Sequence, residues 1–124
     1  YERQFITRKK VNHQILDTLE AFLHSYFRRE DAGEFQLPTV EQVAGELHLS
    51  PNYLSSLLKS LTGMSTQQHI HHALIDKAKE QLSTTSLSVS EIAYQLGFER
   101  PASFSKLFKN KTEMSPMDFR KRFN

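Results

Sequence analysis

"SVSEIAYQLGFERPASFSKLFKNKTEMS", residues 88–115, restates an earlier stretch of the same chain, "TVEQVAGELHLSPNYLSSLLKSLTGMS", residues 39–65. Setting Val40 against Val89 also pairs Val43 with Ile92, Ala44 with Ala93, Leu47 with Leu96 and Leu49 with Phe98, an offset of 49. One extra residue in the second copy then moves the offset to 50, which pairs Leu54 with Phe104, Ser55 with Ser105, Leu57 with Leu107 and Lys59 with Lys109. Thr62, Met64 and Ser65 meet Thr112, Met114 and Ser115 at the same offset. A solenoid needs about three repeats to bury its faces. Two copies therefore read as a pair of like modules.

Helix punctuation surrounds both copies. Thr39 with Gln42 reads as a capping box, in which a side chain satisfies free N–H groups at a helix start, and that helix is expected to end near Leu47. Ser50 before Pro51 opens a second helix, since Ser caps and Pro at the first helical position has no N–H to lose; it is expected to run to about Leu61, with Gly63 as the left-handed stop. Ser65 with Gln68 opens a longer helix to about Leu82, whose buried line is Ile70, Leu74, Ala78 and Leu82. Ser88 with Glu91 opens the next and Gly97 closes it; a helix over about 101–110 and a last one from Ser115-Pro116 follow. Ahead of the repeat, Val11, Ile15, Leu19, Phe22 and Tyr26, widened by Leu16, Leu23 and Phe27, predict an amphipathic helix over about 11–29, broken by "REDAGEFQLP".

Nothing alternates with period two for long enough to form a sheet, so the expected fold is all-α with about seven helices. The expected organisation is residues 1–36 as a linker and a helix packing on the first module, 37–64 as the first helix-turn-helix, 65–83 as a connector helix, and 84–124 as the second helix-turn-helix with a terminal helix. Tight-angled helix pairs also occur outside DNA-binding proteins. Two copies on one connector change the balance: Thr66 to Leu82 spans roughly 26 Å, and with the turns at its ends could hold the second helices about one turn of B-DNA, ~34 Å, apart.

Composition sets the outer bounds. The 124 residues suit one compact unit or two small ones. No run of about 18 apolar residues exists to span a membrane. The chain has no cysteine, which excludes disulfides and thiolate metal sites and fits a reducing cytoplasm. It begins at Tyr1, without an initiator Met or a signal-peptide pattern, and the expectation is a fragment of a longer protein. Net charge is +2, yet residues 99–124 carry seven basic residues against three acidic ones, a balance of +4, which leaves the remainder at −2. A basic end can bind polyanions.

"SVSEIAYQLGFERPASFSKLFKNKTEMSPMDFRKRF" resembles the signature half of the AraC-type (AraC/XylS) transcription regulators of bacteria, and "TVEQVAGELHLSPNYLSSLLKSLTGMS" resembles the first helix-turn-helix of the same domain. The resemblance covers about residues 11–123. It rests on the order of Ala, Leu-Gly-Phe, Ser-Phe, Phe-Lys and Ser-Pro-x-x-Phe-Arg. It implies a sequence-specific DNA-binding domain that inserts two recognition helices into successive major-groove segments of double-stranded promoter DNA. It further implies a bacterial cytoplasmic, nucleoid-associated location, RNA polymerase as a partner of the full-length protein, and an effector-binding or dimerising domain on the N-terminal side. No cofactor and no membrane partner are expected.

The resemblance places Asn52, Tyr53, Ser55 and Ser56 toward bases in the first copy, and Arg100, Ala102, Ser103 and Lys106 in the second. Asn pairs bidentately with adenine, Lys reaches guanine acceptors, serine is permissive, and alanine offers at most contact with a thymine methyl. Ser50, Lys59, Ser65 and Lys109 are expected at phosphates, the serines through the free N–H groups of their helix starts. Arg120 is assigned either to phosphate or to structural pairing. Three departures from the family pattern stand out. Leu58 replaces the usual Phe, Glu113 replaces the usual Gly after the second recognition helix, and the connector carries His69 and Leu74 where relatives often have an aromatic residue and an arginine.

His69, His71 and His72 invite a metal reading, but two histidines on one face without a Cys or a nearby carboxylate do not make a site. No Gly-rich phosphate loop, nucleophile elbow or carboxylate pair appears, so an enzyme is not expected. The alternative function is a helical protein-interaction module that uses the apolar stripe of the first helix and binds no DNA.

Overall fold

The computed structural model describes residues 2–28 and 35–123, with the side chains of the first helix from residue 10 onward. The described residues form seven α-helices and no strand: α1 (Glu2–Phe27), α2 (Val40–Glu46), α3 (Pro51–Thr62), α4 (Thr66–Thr84), α5 (Val89–Gln95), α6 (Pro101–Thr112) and α7 (Pro116–Lys121). They divide into two compact units. The first holds α1, α2, α3 and the start of α4 to Ile70; the second holds residues 35–37, α4 from His71, and α5 to α7.

In the first unit α2 and α1 both pack on α3. The core is Leu19, Leu23 and Phe27 from α1, Val43 and Ala44 from α2, Leu54 and Leu58 from α3, and Ile70. Helix α1 differs from its predicted form. It starts well before residue 11, ends at Phe27, and leaves Val11 45 % exposed. The line that reaches the core is Leu19, Leu23, Phe27, at spacings of four, so the helix presents one edge of the broad apolar stripe rather than its middle.

In the second unit α6 packs against α5 and α7 around Ile92, Ala93, Leu96, Phe104 and Phe108, with Leu74, Ile75, Ala78 and Leu82 of α4 also buried. The predicted buried line of α4 is present throughout. Rings run through this core: Phe98 to Phe104 at 5.5 Å, Phe104 to Phe108 at 5.9 Å and Phe108 to Phe119 at 5.6 Å between centroids, each tilted or edge-on. Such pairs add about 0.5–1.5 kcal/mol beyond the area they bury. The first unit has Leu49, Leu54, Leu58 and His69 at the corresponding places. It completes its core with α1 instead.

The two modules repeat in their hydrogen bonds as well as in their residues. Thr39 and Ser88 both form full capping boxes, with Gln42 and Glu91. Both helix-turn-helix connections are Schellman closures. Leu49 N–H donates to the Ala44 carbonyl and Phe98 N–H to the Ala93 carbonyl, each at 3.0 Å. His48 and Gly97 donate to Gly45 and Tyr94, each at 3.1 Å. Each recognition helix then ends on a residue whose N–H returns four residues back, Gly63 to Lys59 at 2.9 Å and Glu113 to Lys109 at 2.8 Å. Across that stop, the Thr62 and Thr112 hydroxyls bridge the end of the helix: each donates to the carbonyl of Leu58 or Phe108 at 2.8 Å and accepts from Met64 or Met114 N–H at 3.2 Å.

Each module thus needs two left-handed residues, and each fills one with glycine and one without. The first uses His48 (φ 57°) and Gly63 (φ 79°); the second uses Gly97 (φ 90°) and Glu113 (φ 64°). Gly97 is forced twice over, because a Cβ there would lie 3.1 Å from the Phe35 carbonyl oxygen. Glu113 does what its substitution for Gly demanded: it adopts the left-handed conformation despite its Cβ, and it places a negative charge at the negative end of α6. We expect Glu113→Gly to stabilise the chain by about 1 kcal/mol in urea unfolding, and Gly97→Ala to destabilise it by more than about 1 kcal/mol.

Candidate nucleic-acid interface

Burial along the two recognition helices coincides residue for residue. From Pro51 to Ser60 and from Pro101 to Asn110 the same ten places are buried, half-buried or exposed in the same order. The fourth and eighth residues, Leu54 and Leu58 or Phe104 and Phe108, are fully buried. At about 100° per residue, the direction opposite their mean falls on Ser56 in α3 and Lys106 in α6. Asn52 and Ser60, or Ala102 and Asn110, lie about 40° to either side; Tyr53 and Lys59, or Ser103 and Lys109, lie about 60° away. All ten are exposed.

Each outward stripe therefore contains five positions. It holds Asn52, Tyr53, Ser56 and Lys59 from the predicted set in one unit, and Ala102, Ser103, Lys106 and Lys109 in the other. Ser55 stands apart: it lies about 100° from the centre of the stripe and is half-buried, like Ser105. Ser60 and Asn110 were not predicted, although counting 100° steps from the buried leucines or phenylalanines would have found them. Arg100 is exposed one residue ahead of α6.

The helix starts differ. Ser50 Oγ accepts from Tyr53 N–H at 3.2 Å, which fixes the first turn of α3. Arg100 occupies the same place ahead of α6 and makes no side-chain cap; Ser103 N–H donates instead to the Arg100 carbonyl at 3.0 Å. Ser65 forms a reciprocal box, its N–H to Gln68 Oε1 at 2.8 Å and its Oγ accepting from Gln68 N–H at 3.2 Å. Its own amide is thus committed to the cap.

Arg120 is drawn into the second unit. Its Nε donates to the Leu82 carbonyl at 3.0 Å and an Nη to the Thr85 carbonyl at 3.3 Å, so a cation closes the carbonyl end of α4. This is the structural side of its two predicted roles. His69 is buried with Nε2 2.9 Å from Thr62 Oγ1; His72 is exposed, 3.7 Å from Asp76; and burial, then the Lys111 charge, lowers the pKa of His71. Among the described residues no three metal-ligating side chains cluster, and no helix is long and apolar enough to cross a membrane.

Charge is unequally shared between the two recognition helices. Within Pro51–Thr62 the ionic residue is Lys59; within Pro101–Thr112 there are Lys106, Lys109 and Lys111, with Arg100 just ahead.

The helix-turn-helix domain family matches residues 43–122, which hold all of the second helix-turn-helix and the first from Val43 onward. The chain belongs to the AraC-type helix-turn-helix family. It is 32 % identical over 105 residues to the transcriptional activator RhaS of Klebsiella pneumoniae, a match that covers 85 % of this chain and 35 % of RhaS. Among solved structures it resembles the C-terminal domain of AraT, a response regulator from Geobacillus stearothermophilus, at 30 % identity with a TM-score of 0.70, covering 87 % of this chain and 84 % of that one. The DNA-binding domain of the global transcriptional factor AdpA, solved in complex with a target DNA, shares the fold at 23 % identity and a TM-score of 0.70, covering 87 % of this chain and 91 % of that one. The chain spans 13 % and 45 % of the length of two further curated relatives, the Bacillus subtilis transcriptional regulators YtdP and YobQ. This AraC-type domain is thus a DNA-binding domain of transcription regulators and not an enzyme.

Because Arg120 caps α4, we expect Arg120→Ala to lower stability by about 1–3 kcal/mol while leaving the slope of log K against log salt for DNA unchanged. A phosphate ligand would instead flatten that slope by about 0.9, which a salt titration resolves.

Proposed function

We propose that this domain reads promoter DNA with both modules, laying α3 and α6 in successive major-groove segments and holding itself there through phosphate contacts from Lys59 and Lys109. One observation carries the reading. Two recognition helices expose the same five-position stripe, and on each the residues at its centre and at its N-terminal side are short or polar and able to meet base edges. The lysine at the ninth place of each helix lies at the edge of that stripe, one turn nearer the C-terminus than its centre, where a helix leaves the groove. That the related AdpA domain was solved with a target DNA supports the assignment.

At the Ser50 and Ser65 helix starts, backbone N–H groups other than the Tyr53, Ser65 and Gln68 amides that the caps already bind add to the phosphate contacts. In the whole protein, an effector-binding or dimerising region and a contact with RNA polymerase complete the reading, with the cytoplasm and the bacterial nucleoid as the place of action.

A gel shift with promoter DNA at several salt concentrations tests this. Affinity is expected to fall steeply as salt rises, and Lys59→Ala and Lys109→Ala are each expected to weaken binding to all duplexes about uniformly and to flatten the slope by about 0.9. Unchanged slopes would remove the two lysines from the phosphate contacts, and no shift at any salt would leave a protein-interaction module as the function.

A further inference from the structure

We propose that the two recognition helices read unlike base composition through equivalent places: α3 takes an A·T-rich segment through Asn52 and Tyr53, and α6 takes a guanine-containing segment through Lys106. The inference rests on the DNA-reading function proposed above and adds which bases each module selects.

Equivalence comes first. The ten-residue burial pattern shared by α3 and α6 means that a side chain at a given place in one helix leaves the protein in the same direction relative to its own core as its counterpart in the other. The chemistry at those places differs. At the centre stand Ser56 and Lys106; on the N-terminal side stand Asn52 and Ala102, then Tyr53 and Ser103.

Lys106, flanked by the short side chains of Ala102 and Ser103, can extend to guanine O6 and N7, the acceptor pair that a cation favours. No cation stands at the corresponding place in α3. Ser56 is too short to exclude either base pair, and the discrimination passes to the first turn. There Asn52 offers the donor–acceptor pair that matches adenine N6 and N7.

Tyr53 adds the second determinant. It is 54 % exposed, too much for a core ring, although its neighbour Leu54 is fully buried. Its amide is tied to Ser50 Oγ, which fixes the backbone from which the ring projects. It lies in the N-terminal turn, the part of a recognition helix that meets base edges. A flat apolar ring there finds its complement in the thymine C5-methyl, the one apolar group of the major-groove edge. Adjacent adenine and thymine contacts from adjacent residues make an A·T-rich segment.

Selection of bound sites from random duplexes tests the proposal, using the wild-type chain, Ser56→Lys, Lys106→Ser, Tyr53→Ala and Tyr53→Phe. All three positions are exposed, so the fold does not depend on them. The wild type is expected to select one A·T-only segment and one containing guanine. Ser56→Lys is expected to bring guanine into the A·T segment, and Lys106→Ser to lower the guanine preference in the other by at least about fivefold. Replacing thymine by uracil in the A·T segment removes the methyl alone. It is expected to weaken binding by wild type and Tyr53→Phe and to leave Tyr53→Ala unaffected. A selected motif that Ser56→Lys and Lys106→Ser do not change, or a uracil penalty equal in wild type and Tyr53→Ala, overturns the inference while leaving DNA reading intact. Absence of any salt-dependent binding overturns both.

Discussion

Burial of two side chains per recognition helix governs everything the surface can do. With Leu54 and Leu58, or Phe104 and Phe108, fully enclosed, the rotation of the helix about its axis is fixed, and the residues opposite have no choice but to face outward. The helix cannot roll to offer another face without exposing a pair of leucines or phenylalanines, at about 1.5–3 kcal/mol for each side chain. A groove-reading surface needs this rigidity more than it needs any one contact, because base readout depends on where a side chain starts. The left-handed closures at His48 and Gly97 end the preceding helices, and those at Gly63 and Glu113 end the recognition helices themselves.

Much of this was legible in the sequence. The repeat, the capping pairs Thr39/Gln42 and Ser88/Glu91, the Pro51 and Pro101 helix starts and the buried line of α4 are local signals whose physical meaning depends on residues at most a few turns away. What was not legible depends on distant partners or on conformation. Nothing in the identity of His48 announces a left-handed backbone; only its alignment with Gly97 does. Arg120 reaches carbonyls 38 and 35 residues earlier in the chain, a pairing no local pattern encodes. The edge of α1 that is buried depends on what α3 presents to it, and the sequence showed only a stripe too wide to choose from. Ser55 is the instructive case in the site. The family resemblance put it among the base-facing residues, whereas the angle from Leu54 and Leu58 puts it at the boundary of the core.

The modules are alike in frame and unlike in content. The second is built around phenylalanine rings and carries most of the positive charge near its recognition helix; the first uses leucines with α1 to complete its core and has one lysine on that helix. On the reading proposed above, electrostatic holding would fall mainly to one half, while each half keeps its own stripe for the bases.

The central claim is that both modules enter the major groove of the same duplex. Hydroxyl-radical footprinting of the bound complex on a selected site tests it most directly. Two protected segments centred about 10 base pairs apart are predicted, one turn of B-DNA. A single protected segment that persists when Lys59, Asn52 and Tyr53 are all replaced by alanine would contradict it, since only the second module would then be reading the DNA.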